Sequence, residues 1–249
     1  MTYSKWLFAM LTLGALGTRA FAEPQRTVFT VENQFPRWEQ IETGARLRFV
    51  ESTVGATTFE RTEVVPYLRY GIREHIAVQV GVPFVDLSPD FGSSETGIGD
   101  VEATFQLRAY EDIFGYPYII PHLTVTLPTG DDDKGLGNGD PVWTAGISYG
   151  DKLYNHVSWV LDARYRINPN SDNQAMASAS LLWHVSPELD FLFETRWMNN
   201  AGAFGDSSEV QILGGMIYNW TRDVQMGVHA GAGSEDTDAI GLFRLSYSF

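Results

Sequence analysis

Apolar and polar residues alternate along most of this chain, from about Glu39 to Phe249, in segments of about ten to fourteen residues separated by stretches rich in Gly, Asp and Pro. A period of two sends successive side chains to opposite faces of an extended strand. The pattern predicts about twelve strands, at 39–52, 60–72, 76–86, 98–111, 117–128, 141–151, 155–168, 175–186, 188–199, 208–219, 223–233 and 237–249. Strands of this length cross a bilayer at a tilt. Short connections at Arg73-Glu74-His75, Lys152-Leu153-Tyr154, Ser186-Pro187-Glu188 and Trp220-Thr221-Arg222 mostly alternate with longer loops, as in barrels with tight periplasmic turns and long outer loops. The expected fold is all-β: a transmembrane antiparallel up-and-down β-barrel of about 12 strands over residues 39–249. Residues 23–38 lack the alternation and are expected to form a periplasmic N-terminal arm, or a segment tucked into the barrel mouth.

The two faces differ in chemistry. One face carries Ile41, Ala45, Leu47 and Phe49, then Ile76, Val78, Val80, Val82 and Phe84, then Val101, Ala103, Phe105 and Leu107. It continues with Val157, Trp159, Leu161, Ala163 and Tyr165, and with Leu189, Phe191, Phe193 and Trp197. No charge falls among them, as a lipid-facing wall requires. Tyr70, Tyr149, Trp159, Trp183, Tyr218, Trp220 and Tyr247 fall near the short turns, and Trp143, Tyr165 and Trp197 near the long loops. Two such belts suit the two headgroup layers of a membrane.

The opposite parity places Glu42, Arg46, Arg48, Arg61, Glu63, Arg69, Glu102, Arg108, Asp162, Arg164, Arg166, Asp190, Glu194, Arg196 and Arg244 in the lumen. Arginines exceed acids there, whereas most of the surplus negative charge lies in loops. Two readings stay open. Lumenal arginines and carboxylates pair across strands and fill a narrow interior, or unpaired arginines line a constriction that binds anionic solutes.

The amino-terminal Lys5, the apolar run Leu7–Leu16 and the sequence Ala20-Phe21-Ala22 read as a secretory signal peptide over residues 1–22, cut near Ala22. No later run is long and apolar enough for a transmembrane helix. Export without a single cysteine means that no disulfide framework holds the fold. The formal net charge of -14 argues against nucleic acid as a partner. A mean hydropathy of only -0.14 agrees with a wall whose every second residue faces a polar interior.

Candidate chemistry is sparse. The loop Thr129–Asp140 is acidic, but it lacks the calcium-binding spacing of an EF-hand and no Gly-Lys-Ser/Thr follows its glycines, so it reads as a solvated loop. His122, His156, His184 and His229 share the lumenal parity and His75 lies in a turn. Ser158 shares a face with His156, a spacing too common to identify a hydrolase. No catalytic residue, metal site or cofactor is assigned, and no enzyme activity is expected.

Two segments carry a family resemblance: Thr96-Gly97-Ile98-Gly99-Asp100, leading into Val101-Glu102-Ala103, and Leu127-Pro128-Thr129-Gly130-Asp131, closed by Gly135-Leu136-Gly137. With their spacing of about thirty residues they resemble the meta-pathway phenol-degradation family of outer-membrane, transporter-like barrels, from about residue 60 onward. The resemblance implies an outer-membrane channel or transporter, and brings no substrate-binding residues with it.

The final segment, Gly241–Phe249, sets Phe243, Leu245, Tyr247 and Phe249 on one face and Arg244, Ser246 and Ser248 on the other. That pattern is expected to serve as an assembly signal for the outer-membrane assembly machinery. The expected function is passive uptake of small solutes, aromatic or anionic, through an arginine-biased polar lumen. The alternatives are a structural or interaction barrel with a filled lumen and, third, an outer-membrane lipid hydrolase. Expected partners are outer-membrane lipid and lipopolysaccharide, the assembly machinery and a small-molecule solute.

Overall fold

The computed structural model describes residues 25–54, 57–90, 92–169, 171–199 and 208–249. The expected signal peptide at 1–22 lies outside them. Among the described residues, twelve antiparallel strands form one closed wall. In chain order these are β1 (Ile41–Val54), β2 (Thr57–Arg73), β3 in two pieces (Ile76–Gly81 and Phe84–Pro89), and β4 in three (Glu95–Ile98, Val101–Leu107 and Tyr110–Glu111). They continue as β5 (Tyr118–Leu127), β6 (Val142–Tyr154), β7 (Val157–Ile167), β8 (Gln174–His184), β9 (Leu189–Met198), β10 (Glu209–Asn219), β11 (Val224–Gly233) and β12 (Thr237–Ser248).

Each strand pairs with its sequence neighbour, and β1 pairs on its second edge with β12, where Ala45 faces Leu245 and Arg46 faces Arg244. Closure removes the unpaired edges that an open sheet would expose. The interruption of β3 at Val82-Pro83 departs from the single strand expected over 76–86. Pro83 has no N–H to give the ladder, so the break is bridged by Val82 N–H donating to Pro66 O at 3.1 Å and Gly99 N–H to Pro83 O at 2.8 Å.

The outer face is apolar and exposed: Leu47, Val80, Phe105, Leu161, Phe193 and Leu245 all point away from the interior. A continuous belt of this kind is stable only against lipid. Trp183, Tyr218 and Trp220 are exposed near the short turns, and Trp143, Tyr165 and Trp197 near the long loops.

Inside, large residues lie over glycines directly opposite on the next strand. Tyr118 faces Gly150 and His122 faces Gly146, and a Cβ on either glycine would collide with the facing ring. The interior is therefore fitted by cross-strand pairs.

The interior is also occupied by residues ahead of β1. The segment from Gln25 to Gln40 enters at the short-turn rim and folds back within the barrel, so that Arg26, Thr27, Phe29, Thr30, Val31, Glu32 and Phe35 are all buried. It is non-repetitive chain that binds itself: the Glu32 carboxylate accepts the amide of Arg26 at 2.8 Å and of Thr27 at 3.2 Å. The Gln25 side chain accepts the Glu32 amide at 2.9 Å and donates to the Glu32 carbonyl at 2.8 Å. Backbone groups that no ladder satisfies are thus paired locally before the wall contributes.

Candidate functional site

The lumen divides into two levels. The level nearer the short turns is filled. There Val31 and Phe35 pack with Ala77, Tyr118, Ile120, Val160, Leu182, Leu192 and Ile217, while the tip of the segment reaches up into the next level, where Phe29 packs with Leu213 and with Ile240, the residue opposite Val50. Burying Phe29, Val31 and Phe35 stabilises the seat by about 1.5–3 kcal/mol each. The alternation predicts a mostly polar lumen, but Ile120, Val160, Leu182, Leu192 and Ile217 are apolar residues on the inward face. They serve as a socket for the segment.

Polar contacts fix its position. The Glu194 carboxylate accepts the amides of Val28 at 3.0 Å and Phe29 at 3.2 Å, and also the Ser180 hydroxyl. Arg164 donates to the Phe29 carbonyl at 2.7 Å and Arg244 to the Arg26 carbonyl at 2.7 Å, while Arg69 donates to the Gln34 carbonyl. Arg69 also pairs with Glu42 at 3.2 Å. Rings join in: Arg196 lies over Phe29 at 4.2 Å and Arg108 over Phe35 at 4.7 Å. Arg26 bridges Glu32 at 3.0 Å and Asp190 at 3.4 Å. Burial by itself lowers the Arg26 pKa, but the fields of Glu32 and Asp190 outweigh it and hold the guanidinium above its ordinary value.

At its exit the segment crosses Gly71. An added Cβ there would overlap the carbonyl oxygens of Arg37 and Pro36, and Gly71 O accepts the Glu39 N–H at 2.8 Å. Glu39 itself has φ 60°, a left-handed conformation costly for a residue with a Cβ.

The level nearer the long loops is basic. Arg46 is 3.8 Å from Glu102, Arg48 is 3.7 Å from Glu63, and Arg61 is 2.6 Å from the same Glu63. Arg164 is held by Asp162 at 2.5 Å, and Asp162 also binds His122 at 2.8 Å and the Ser148 hydroxyl. Arg196 donates to Gln211, and its buried Nε has no hydrogen-bond partner among the described residues. Glu63 therefore serves two arginines, and the Arg46 and Arg48 contacts are long, so positive charge here is incompletely neutralised.

Glu42, Arg69, Arg108, Glu194 and Arg244 surround the N-terminal segment, Asp162 and Arg164 stand at the boundary, and Arg46, Arg48, Glu102, Arg166 and Arg196 lie on the inward face at the basic level. Phe243, Leu245, Tyr247 and Phe249 sit on the outer face of the β12 seam, with the Tyr247 and Phe249 rings stacked at 5.7 Å. The backbone of Phe249 pairs with Ile41 in both directions, at 2.9 and 3.1 Å.

The two glycine motifs meet at the long-loop mouth. The loop joining β5 to β6 folds inward, burying Leu136 against Gly97 and Gly99. Asp100 ties it down, accepting the amides of Gly130 at 2.9 Å and Asn138 at 2.7 Å. Thr129 donates to Gly99 O at 3.0 Å and accepts the Val101 amide at 2.9 Å. In the acidic stretch, Asp131 pairs with Lys134 at 2.9 Å. Its carboxyl is held below the ordinary value chiefly by the Lys134 hydrogen bond. Among the described residues no group of three or more His, Asp or Glu is placed to hold a metal ion.

The histidine that Ser158 meets is His184, also on the lumenal parity, and not the nearby His156. The Ser158 Oγ lies 3.1 Å from His184 Nε2, and His184 Nδ1 lies 2.7 Å from Asp190. His156, which the spacing had paired with Ser158, is exposed in the turn after β6. The Ser-His-Asp order has the connectivity of a hydrolytic triad, but Ser158 is 1% exposed. The row ends on Arg26, and it acts as a strut between three strands and the N-terminal segment.

Comparison with known proteins agrees with this architecture. The COG4313 outer membrane channel from Pseudomonas putida F1 superposes with a TM-score of 0.72 at 14% identity, covering 91% of this chain and 100% of that one. The KdgM porin superposes with a TM-score of 0.59 at 10% identity, covering 84% and 99%. The translocator domain of the autotransporter NalP from Neisseria meningitidis gives 0.54 at 8% identity, covering 84% and 87%. These likenesses establish the fold as an outer-membrane β-barrel. None of the curated proteins matches the sequence. The family model described as the MetA-pathway of phenol degradation matches residues 27–249, so the chain belongs to that family.

Proposed function

We propose that this barrel is an outer-membrane channel for passive uptake of small polar or anionic solutes. One observation carries the reading: the lumen holds a basic level in which Glu63 serves both Arg48 and Arg61 and Arg196 keeps a buried Nε unpaired. Arg46, Arg48, Arg61, Arg164, Arg166 and Arg196 outnumber the carboxylates Glu63, Glu102, Asp162 and Glu209 on this part of the inward face, and an excess of cations there attracts anions. A solute entering past the loop held by Asp100 meets this level first and must then pass residues 25–38. The KdgM porin, which shares the fold, is known in complex with disordered oligogalacturonate.

Planar-bilayer recording of the purified protein under a salt gradient tests the proposal. Anion-selective conductance is expected, and Arg164→Ala or Arg196→Ala shifts the reversal potential towards cations. A barrel silent at every voltage supports the second reading, a structural or interaction barrel. The observation behind that reading is the filled level around Phe29, Val31 and Phe35.

A further inference from the structure

Phe29 is held in the lumen by three kinds of contact at once. Its N–H donates to Glu194 at 3.2 Å, its carbonyl oxygen accepts from Arg164 at 2.7 Å, and its ring lies under the Arg196 guanidinium at 4.2 Å. Stripped of the chain on either side, that arrangement is the outline of a free amino acid: an amino group, an oxygen acceptor and an aromatic ring two carbons away. We propose that Glu194, Arg164 and Arg196 form a binding site for aromatic α-amino acids, and that Phe29 occupies it as a tethered competitor. The proposal rests on the channel reading above and names the class of solute that the channel selects.

Each substitution of free ligand for tethered residue strengthens a contact. The neutral amide at Glu194 becomes an ammonium, and the neutral carbonyl at Arg164 becomes a carboxylate, so two hydrogen bonds with one charged partner each become doubly charged ones. The ring keeps its place beneath Arg196, where the cation meets the face of the π-system. Glu194 decides between ligand classes. With residues 28 and 29 displaced, an aromatic acid lacking the amino group leaves this buried carboxylate facing another anion. A zwitterion restores a donor to it. Arg196 belongs to the basic level and Arg164 to its boundary, so a solute that has entered the basic level meets both.

The test is equilibrium binding of L-phenylalanine to the purified, folded barrel, compared with 3-phenylpropanoate, phenethylamine and 3-cyclohexyl-L-alanine, each lacking one of the three matching groups. L-phenylalanine is expected to bind best. Phe29→Ala, which removes the competitor's ring, is expected to tighten it roughly tenfold, and Arg196→Gln to weaken it about three- to tenfold. Glu194→Gln is expected to bring L-phenylalanine and 3-phenylpropanoate closer in affinity; because that change also loosens residues 25–38, the ratio of the two ligands is the readout. Equal binding of 3-cyclohexyl-L-alanine, tighter binding of 3-phenylpropanoate, or no change in Phe29→Ala would each overturn the site. Salt conductance measured on the same samples separates the two proposals. Conductance without amino-acid binding removes this site and leaves the channel, whereas binding without conductance removes the channel and the uptake role of the site.

Discussion

Glu194, on the wall, accepts the backbone amide of Val28 at 3.0 Å, joining two positions of one chain 166 residues apart. The same carboxylate receives Phe29 and Ser180, so a single side chain anchors the tip of the N-terminal segment. Glu194→Gln keeps the shape and removes the charge from these bonds, which weakens the seat by about 1.5–3 kcal/mol. The expected outcome is a larger open fraction in single-channel recordings, with the barrel otherwise intact. Recordings indistinguishable from those of the unaltered protein would show that the apolar socket alone holds residues 25–38.

At the other end of the segment, Gly71→Ala forces a methyl group into the carbonyls of Arg37 and Pro36. Overpacking of this kind costs about 1–3 kcal/mol. The wall is expected to hold, since the added methyl group meets the carbonyls of Arg37 and Pro36 and not a neighbouring strand. Limited proteolysis is expected to cut within 25–40 while the strands stay protected. Equal protection of that segment in both proteins would place the exit path elsewhere.

The Asp100 carboxylate is the tie between the β4 interruption and the inward-folded loop. Asp100→Ala leaves two backbone amides without their acceptor, a loss of about 1–3 kcal/mol each where they are buried. The loop is expected to leave the mouth, seen as faster cleavage between Thr129 and Asp140 and a higher conductance. Asp100→Asn, which retains one acceptor oxygen, is expected to fall between the two. If Asp100→Ala cleaves no faster than the unaltered protein, Leu136 alone secures the loop.

Phe249 contributes two backbone hydrogen bonds to Ile41 and a stacked ring beside Tyr247. Its deletion is expected to lower the yield of heat-modifiable, membrane-inserted barrel in cells, while molecules that do insert conduct normally. A normal yield would remove the assembly role assigned to this strand.

The wall was legible because alternate side chains meet different surroundings. In Leu161-Asp162-Ala163-Arg164, exposed apolar positions alternate with inward charges, and that contrast is visible without coordinates. The N-terminal segment was not, because Val28, Phe29, Val31 and Phe35 follow no period and are held by residues scattered over most of the wall. A signal was present in Leu181-Leu182 and in Val160, Leu192 and Ile217. Where both parities are apolar, one face meets lipid and the other needs an internal partner. The Ser158 and His184 contact shows the limit from another side: both have the lumenal parity, but parity carries no register between strands, and they meet because their strands are adjacent, whereas His156 lies in a turn.

The pairing of Ile41 with Phe249 has a kinetic consequence. The two edges that seal the cylinder are separated by nearly the whole sequence, so their meeting carries the largest loop-closure entropy in the molecule and belongs late in folding. Residues 25–38 stand just ahead of the first of those edges, yet the socket that receives them draws on strands from β3 to β10. The part of the chain that precedes every strand reaches its resting place only when the cylinder around it is nearly complete.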